Sequence, residues 1–282
     1  MAPSPPGPHS PPRRLIVNAD DFGRSASTNQ AVIRAHREGI LTTTSLMVNE
    51  PAFEEAVALA REHPRLGVGL HLTLLCGRST LPPDAIPGLV NARGEFSNHP
   101  PNTGFRYFFL RSLREPLRRE IHAQFQKFRA TRLPLDHVNG HLHLHLHPTV
   151  FRILMSDAAQ LGIKRLRLTF DPFRINLRVA SGHLLYRVLH AAIYHTLSAR
   201  ARPALAQRGI RHTDAVFGLL QNARVDEPFV TRLLPQLPAG DSELYSHPSL
   251  NEFENEFEAL VSPRVRKQVN QLGIKLIRYQ DL

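Results

Sequence analysis

His141, His143, His145 and His147 stand at every second position in Asn139-Gly140-His141-Leu142-His143-Leu144-His145-Leu146-His147-Pro148. Imidazole is the commonest metal-ligating side chain and titrates near neutral pH. A spacing of two predicts four rings along one face of an extended strand. Earlier in the chain stand a carboxylate pair, in Asp20-Asp21-Phe22-Gly23, and another imidazole, in Gly69-Leu70-His71-Leu72. Two imidazoles and one carboxylate make a ligand set that leaves a position for water, as in hydrolytic zinc sites. Asp21, His71 and His141 meet that need. A divalent ion held there acidifies water, and Asp20, adjacent in sequence, is the candidate to accept the proton. His247, in Ser246-His247-Pro248, is the candidate to protonate a leaving group. Taken singly, Asp-Asp-Phe-Gly also suits a turn, and a histidine tract also suits adventitious metal binding. The three motifs together argue for a site.

These residues need a scaffold that gathers distant segments. Residues 14–18 are a short apolar run ending at the Asp pair, a buried strand. Residues 25–38 read as a helix closed by Gly39 as a C-terminal cap. Further strands are expected at 44–48, 66–74, 135–141, 164–169, 213–219, 243–247 and 274–278. Helices are expected at 51–61, 114–130, 181–199, 229–234 and 261–271, with another beginning at Pro148. Pro51 suits a first helical turn. In 114–130, Ile121, Phe125 and Phe128 share one face. Residues 77–104, rich in Pro, Gly and Asn, read as a long insertion. About eight alternations of strand and helix predict a parallel sheet, and eight such units predict a closed or nearly closed barrel. The expected fold class is therefore α/β, an irregular TIM-like (β/α) barrel in one domain. Chemistry in such barrels sits at the C-terminal strand ends. Asp20, Asp21, His71, His141, Arg167 and His247 are all expected there.

A chain of 282 residues with 42% hydrophobic content is long enough for one large domain with a real core. The single cysteine, Cys76, excludes an intramolecular disulfide and is expected in the core. The formal net charge is +11, from 35 Lys+Arg against 24 Asp+Glu, which suits an anionic partner such as nucleic acid or a membrane surface. Residues 1–13 are crowded with Pro and Ser and lack the apolar centre of a signal peptide. We expect a disordered tail there, on a cytoplasmic protein whose domain runs over 14–282. No stretch reaches the ~18 apolar residues of a transmembrane helix; the nearest, 184–197, is interrupted by Arg187, His190 and His195. Within it Leu184, Leu185, Val188, Leu189, Ala192 and Ile193 recur at helical spacing, with Arg178, Arg187, Arg200, Arg202, Arg208 and Arg211 around them. A basic amphipathic helix of this kind can lie peripherally on an anionic membrane.

Leu15-Ile16-Val17-Asn18-Ala19-Asp20-Asp21-Phe22-Gly23 resembles the opening signature of the YdjC family of carbohydrate deacetylases. Thr43-Thr44-Ser45-Leu46-Met47-Val48-Asn49 is similar to its second block and Gly69-Leu70-His71-Leu72 to its third. His137-Val138-Asn139-Gly140-His141-Leu142-His143-Leu144-His145 resembles its histidine-rich fourth block, and Glu243-Leu244-Tyr245-Ser246-His247-Pro248 a late one. The closing Tyr279-Gln280-Asp281-Leu282 is similar to the family's end. The resemblance implies an irregular β/α barrel that removes an N-acetyl group from an amino sugar with one divalent metal ion, zinc or magnesium. It implies metal ligation by Asp21, His71 and His141, with Asp20 as base and His247 as acid. Where the family commonly has Asp, this chain has Asn139. An amide there can orient a histidine but not raise its basicity as a carboxylate would. Within the family the chain most resembles the hopanoid-biosynthesis-associated HpnK branch, through its Arg/His-rich segment 174–212 and the His-Leu-His-Leu-His-Leu-His-Pro run. That branch implies deacetylation of N-acetylglucosaminyl bacteriohopanetetrol, a glycolipid, at the inner face of the cell membrane, with no nucleic-acid partner. The competing readings are a deacetylase of soluble chitooligosaccharides, a metal-dependent phosphoesterase and a non-catalytic metal- or lipid-binding module.

Overall fold

The computed structural model describes residues 12–221 and 223–282. Seven strands form one curled sheet: β1 (Arg13–Phe22), β2 (Thr43–Leu46), β3 (Gly67–Leu72), β4 (Val138–Gly140), β5 (Ala215–Phe217), β6 (Gly240–Ser246) and β7 (Lys275–Ile277). Their order is β4-β3-β2-β1-β6-β5, with β7 against β1, and every pairing is parallel. Most of the expected tail lies outside the described residues, and Arg13, its last residue, already belongs to β1.

The expected strand at 164–169 is reduced to isolated bridges, Val138 to Leu166 and Arg165 to Arg211. Val216 N–H donates to the Phe170 carbonyl at 2.8 Å and extends the same seam. The curl is thus joined from β4 to β5 by single contacts, not by a ladder. β7 accounts for the other irregularity. β6 follows β1 over Arg13–Ala19, while the opposite edge of β1 is shared, by β7 at Arg14–Ile16 and by β2 from Asn18 onward.

Alternation along β1 sends Leu15, Val17 and Ala19 into the main core beneath the helices. Ile16 goes the other way and packs on Ile277 and Tyr279. Asn18 and Asp20 follow Ile16 into the barrel. That interior is polar: Asn18, Thr43, Ser45, Asn139, Arg167 and Glu243 have no exposed surface, where barrels usually stack branched apolar side chains. Tyr279 lies within it, stacked on His137 at 4.3 Å. Gly69 leaves the room, since a Cβ there would stand 2.5 Å from the His137 ring.

Around the sheet lie α1 (Ala26–Glu38), α2 (Phe53–Glu62), α3 (Pro100–Phe109), α4 (Arg114–Ala130), α5 (Pro148–Ser156) and α6 (Ala158–Leu161). They are followed by α7 (Phe173–Val179), α8 (Leu184–Gln207), α9 (Glu227–Leu233), α10 (Glu254–Val261) and α11 (Pro263–Gln271). α4 has the expected bounds and buries Ile121, Phe125 and Phe128. Gly39 does end α1, but not in a left-handed cap: its φ is −119°. It is there because α10 passes close by, and a Cβ would meet the Leu260 carbonyl oxygen at 2.1 Å. The helix expected at 181–199 runs on to Gln207, and the one at 261–271 is divided by Ser262, whose hydroxyl caps α11 at Val265. Cys76, expected in the core, is half-buried. Among the described residues no helix is long and apolar enough to cross a membrane.

Candidate active site

Four strand ends deliver the chemistry. Asp20 and Asp21 come near the end of β1, His71 lies in β3, and His141 and His247 follow β4 and β6 directly. All five line one cleft of about 500 Å³. Arg167, expected at the same rim, is fully buried in the barrel beneath.

The backbone at Asp21 takes a left-handed turn, φ 66°, so the two neighbouring carboxylates part company. Asp21 Oδ1 lies 3.2 Å from His71 Nε2 and 3.1 Å from His141 Nδ1. The two nitrogens are 3.4 Å apart. Donors about 2.0–2.1 Å from a zinc-sized ion, at tetrahedral angles, stand about 3.3 Å from one another. The set therefore fits a divalent metal, and all three residues are buried. Asp21 Oδ2 accepts from Arg24 at 2.9 Å. His71 Nδ1 donates to Asn139 Oδ1 at 2.7 Å, which leaves Nε2 bare toward its neighbours. The amide of Asn139 thus sets the ring's tautomer and orientation.

Asp20 faces a different environment. Its Oδ1 accepts from Asn18 at 2.8 Å, Ser45 at 2.8 Å, Asn139 at 3.1 Å and Arg167 at 2.9 Å. Its Oδ2 accepts from Arg167 at 2.7 Å and keeps capacity for another donor. Burial pushes the carboxyl upward, but the Arg167 guanidinium outweighs it and holds Asp20 well below the usual carboxylate range. Arg167 also binds Glu243 at 2.7 Å, and Glu243 accepts from the Tyr279 hydroxyl.

The histidine run is not a strand. After Gly140 it coils into a short 3₁₀ segment, and Leu142 and His143 are left-handed, φ 48° and 56°. Non-glycine residues in that region cost of order 1–3 kcal/mol each and collect at functional sites. The break sends four rings to four partners. His141 joins Asp21 and His71. His143 Nε2 meets the Tyr245 hydroxyl at 2.8 Å. His145 Nε2 donates to the Arg167 carbonyl at 2.9 Å. His147 Nε2 donates to the Gly104 carbonyl at 3.0 Å. Burial holds His143 well below the usual imidazole range and takes His145 down to about 3, so both are neutral supports.

His247 Nδ1 lies 3.7 Å from Glu256, and 28% of its side chain is exposed. Burial alone would lower the imidazole, but the Glu256 carboxylate, with Asp21 and Asp20, pushes it up to about 9. The Glu256 carboxylate thus favours the protonated ring.

Sequence reasoning missed Arg24, Glu243, Tyr245 and Glu256. Glu243 and Tyr245 carried a usable signal: they precede His247 at period two in a buried strand, and a buried Glu needs a partner. Arg24 stands three residues from Asp21 and pairs with it locally, whereas Glu256 carried no signal, because only the fold brings it to His247.

A carbohydrate deacetylase from Brevibacillus brevis is 42% identical over 147 residues, which span 52% of this chain and 56% of that protein. The match to another, from Geobacillus stearothermophilus, is 41% identical and spans 61% of it. The chain thus spans little more than half the length of these relatives. A chitooligosaccharide deacetylase from Serratia marcescens is 31% identical over 281 residues, covering 95% of this chain and 98% of its own. A solved structure from Enterococcus faecalis, described as a candidate cellobiose-phosphate cleavage protein, shares the fold, with a TM-score of 0.72, 23% identity and coverage of 96% and 98%. The family model for YdjC-like proteins matches residues 14–271, and the chain belongs to that family.

Proposed function

We propose that the cleft hydrolyses the N-acetyl group of an amino sugar, with one divalent metal ion held by Asp21, His71 and His141. The observation that carries the reading is the gathering of a metal-fit triad, a carboxylate with a free lone pair and an imidazole in one cleft. The deacetylase relatives support it. Two imidazoles in the donor set favour zinc over magnesium, which prefers oxygen ligands.

A bound ion supplies Lewis acidity, polarising the acetyl carbonyl and acidifying water. Asp20 Oδ2 takes the proton of the attacking water. A carboxylate held as low as Asp20 is a weak base, so its task suits only water already made acidic. The amide C–N bond breaks, His247 gives its proton to the departing nitrogen, and the products are acetate and the free amine. Arg167 and Asn139 hold Asp20 in place throughout.

For the substrate we favour N-acetylglucosaminyl bacteriohopanetetrol over soluble chitooligosaccharides, with the enzyme at work on an anionic membrane surface. Support comes from the segment 174–212 and from the apolar and aromatic side chains beside the triad, Leu142, Tyr186, Tyr194 and Phe253. A phosphoesterase is disfavoured: among the described residues there is one such cluster, whereas many phosphoesterases bridge two metals.

Mass spectrometry of the N-acetylglucosaminyl lipid and of short chitin oligomers, after incubation with the zinc-loaded protein, tests this. Loss of one acetyl group is expected, fastest from the lipid. Asp20→Asn should keep its metal, lose some thermal stability through Arg167, and turn over roughly 100-fold slower or worse. Failure of both substrates to lose acetyl with zinc, cobalt or magnesium, or near-normal turnover of Asp20→Asn, overturns the reading.

A further inference from the structure

The first turns of α8 carry large apolar side chains on almost every side, as a fully buried helix would. The barrel covers one side only. Tyr186, His190 and Tyr194 face the cleft. The opposite side carries Leu184, Leu185, Val188, Leu189 and Ile193, all exposed, Leu185 to 82%. α3 adds Pro100 to the same cleft, and its far end exposes Phe105, Phe108 and Phe109, Phe105 to 64%. Leu142 lines the cleft with its side chain 48% exposed, and its carbonyl accepts from the Tyr194 hydroxyl at 3.2 Å. Among the described residues, every exposed large apolar side chain falls in 105–110, at 142 or in 177–193. Exposed apolar residues scattered singly need no explanation; concentration in and beside two helices that each reach the cleft does.

Charge selects the partner. Residues 96–114 and 172–213 contain no Asp or Glu. Arg111, Arg114, Arg174, Arg178, Arg200 and Arg202 are exposed there. A second copy laid face to face would set cations against cations, whereas anionic head groups oppose them with the right sign. Arg187 is not part of this surface: it turns inward and binds Asn176 at 2.6 Å. Arg208 is partly engaged too, donating to the Met155 carbonyl at 2.7 Å.

We propose that α3 and α8 form a collar that seats the cleft mouth on an anionic lipid bilayer, the apolar side chains entering the acyl boundary and the arginines staying among the head groups. The collar rests on the glycolipid reading for its purpose: a sugar head group enters the cleft while its lipid remains in the bilayer. Its test does not depend on turnover. Vesicles of phosphatidylcholine, alone or mixed with phosphatidylglycerol, are floated with the full chain at low and high salt. The mixed vesicles alone should carry the protein, and salt should release it. The pair Leu185→Glu and Leu189→Glu, and separately Phe105→Ser and Phe109→Ser, should each lower the bound fraction roughly tenfold or more, with an unchanged circular dichroism spectrum. Turnover of soluble chitin oligomers should not change. Binding that ignores lipid charge and salt, or that survives both pairs, overturns the collar. So does a dimer in light scattering that Leu185→Glu and Leu189→Glu dissolve, for then a second copy covers this face. If no substrate loses acetyl but flotation behaves as expected, the collar stands and only the deacetylase reading falls.

Discussion

Asp20 and Asp21 are neighbours in the chain and belong to two different regions. Asp20 looks into the barrel, where Arg167, Glu243 and Tyr279 form a continuous buried network. Every charge there has a fixed partner built into the chain. Asp21 looks into the cleft, where its oxygen and two imidazole nitrogens crowd one another within 3.4 Å. Those atoms stand at the mutual spacing of ligands to one divalent ion. The first region pairs its charges within the chain; the second gathers donors suited to a metal. Fold stability should therefore reside with Asp20 and ligand affinity with Asp21, and substitutions can pull the two apart.

The hardest break is Arg167→Met. It strands two buried carboxylates, and removing one partner of a buried ion pair costs about 3–5 kcal/mol. Denaturant unfolding of the metal-free protein should show that loss, with metal binding impaired only as far as the fold is. If Arg167→Met unfolds like the parent, the interior network is not what holds the barrel.

On the cleft side the order reverses. His141→Ala should abolish stoichiometric zinc while changing metal-free unfolding by less than Arg167→Met does. His71→Ala and Asp21→Ala should match it. His147→Ala, whose ring serves Gly104 and the start of α5, should keep its zinc. Asn139→Ala is intermediate, since it touches both Asp20 and His71; outer partners of a ligating histidine are typically worth 10–100-fold in metal affinity. Metal counting after dialysis, paired with thermal unfolding, reads all of these. Zinc lost from His147→Ala as fully as from His141→Ala would misplace the ligand within the run.

These contrasts also mark what could be read from the chain. The triad was legible because its members sit at strand ends, and apolar runs locate strand ends. The helix at 114–130 was legible because one stripe of Ile121, Phe125 and Phe128 decides it. The histidine run misled because period two is a local signal. Its rings answer to Asp21, Tyr245, Arg167 and Gly104, four partners from four separate segments, and no strand can serve all of them. The left-handed turn at Leu142 and His143 has no glycine to announce it. The strand expected at 164–169 does not form for a related reason: its apolar alternation is real, but its neighbours meet it at single bridges. The place of β7, wedged beside β1, follows from pairing across the whole chain and leaves no local mark.

A gentler probe separates the two regions by pH. Glu256, with Asp21 and Asp20, raises His247 to about 9 against the pull of burial. A raised pKa means that the proton is held in the fold below about 9 and lost as pH rises through it. Activity that needs this proton should persist above the ordinary imidazole range and fall as pH rises further. Glu256→Gln keeps the shape but removes the charge, so the alkaline limb should move down toward the ordinary imidazole value near 6.5, at unchanged metal content. A limb that stays in place takes His247 out of the proton transfer.

The smallest effect tests whether the barrel's rule of full pairing extends outward. Asp171 is buried beyond the network; its Oδ2 accepts from Leu220 N–H at 3.2 Å, and its Oδ1 has no partner among the described residues. Burial pushes its carboxyl up to about 7 from an ordinary 3.8. The fold then keeps a proton that the unfolded chain releases, so this group's contribution to stability is present at low pH and declines between about pH 4 and 7. Asp171→Asn removes that slope. The amide can still accept from Leu220, but its nitrogen is buried with poor partners, which costs about 1–3 kcal/mol and cancels most of the gain from losing a buried charge. A net stabilisation of about 1 kcal/mol at pH 8 is expected, turning to a loss at pH 4. Denaturant unfolding at the two pH values measures it. Equal differences at both would mean that Asp171 is ionised in the fold, paired like Asp20 after all.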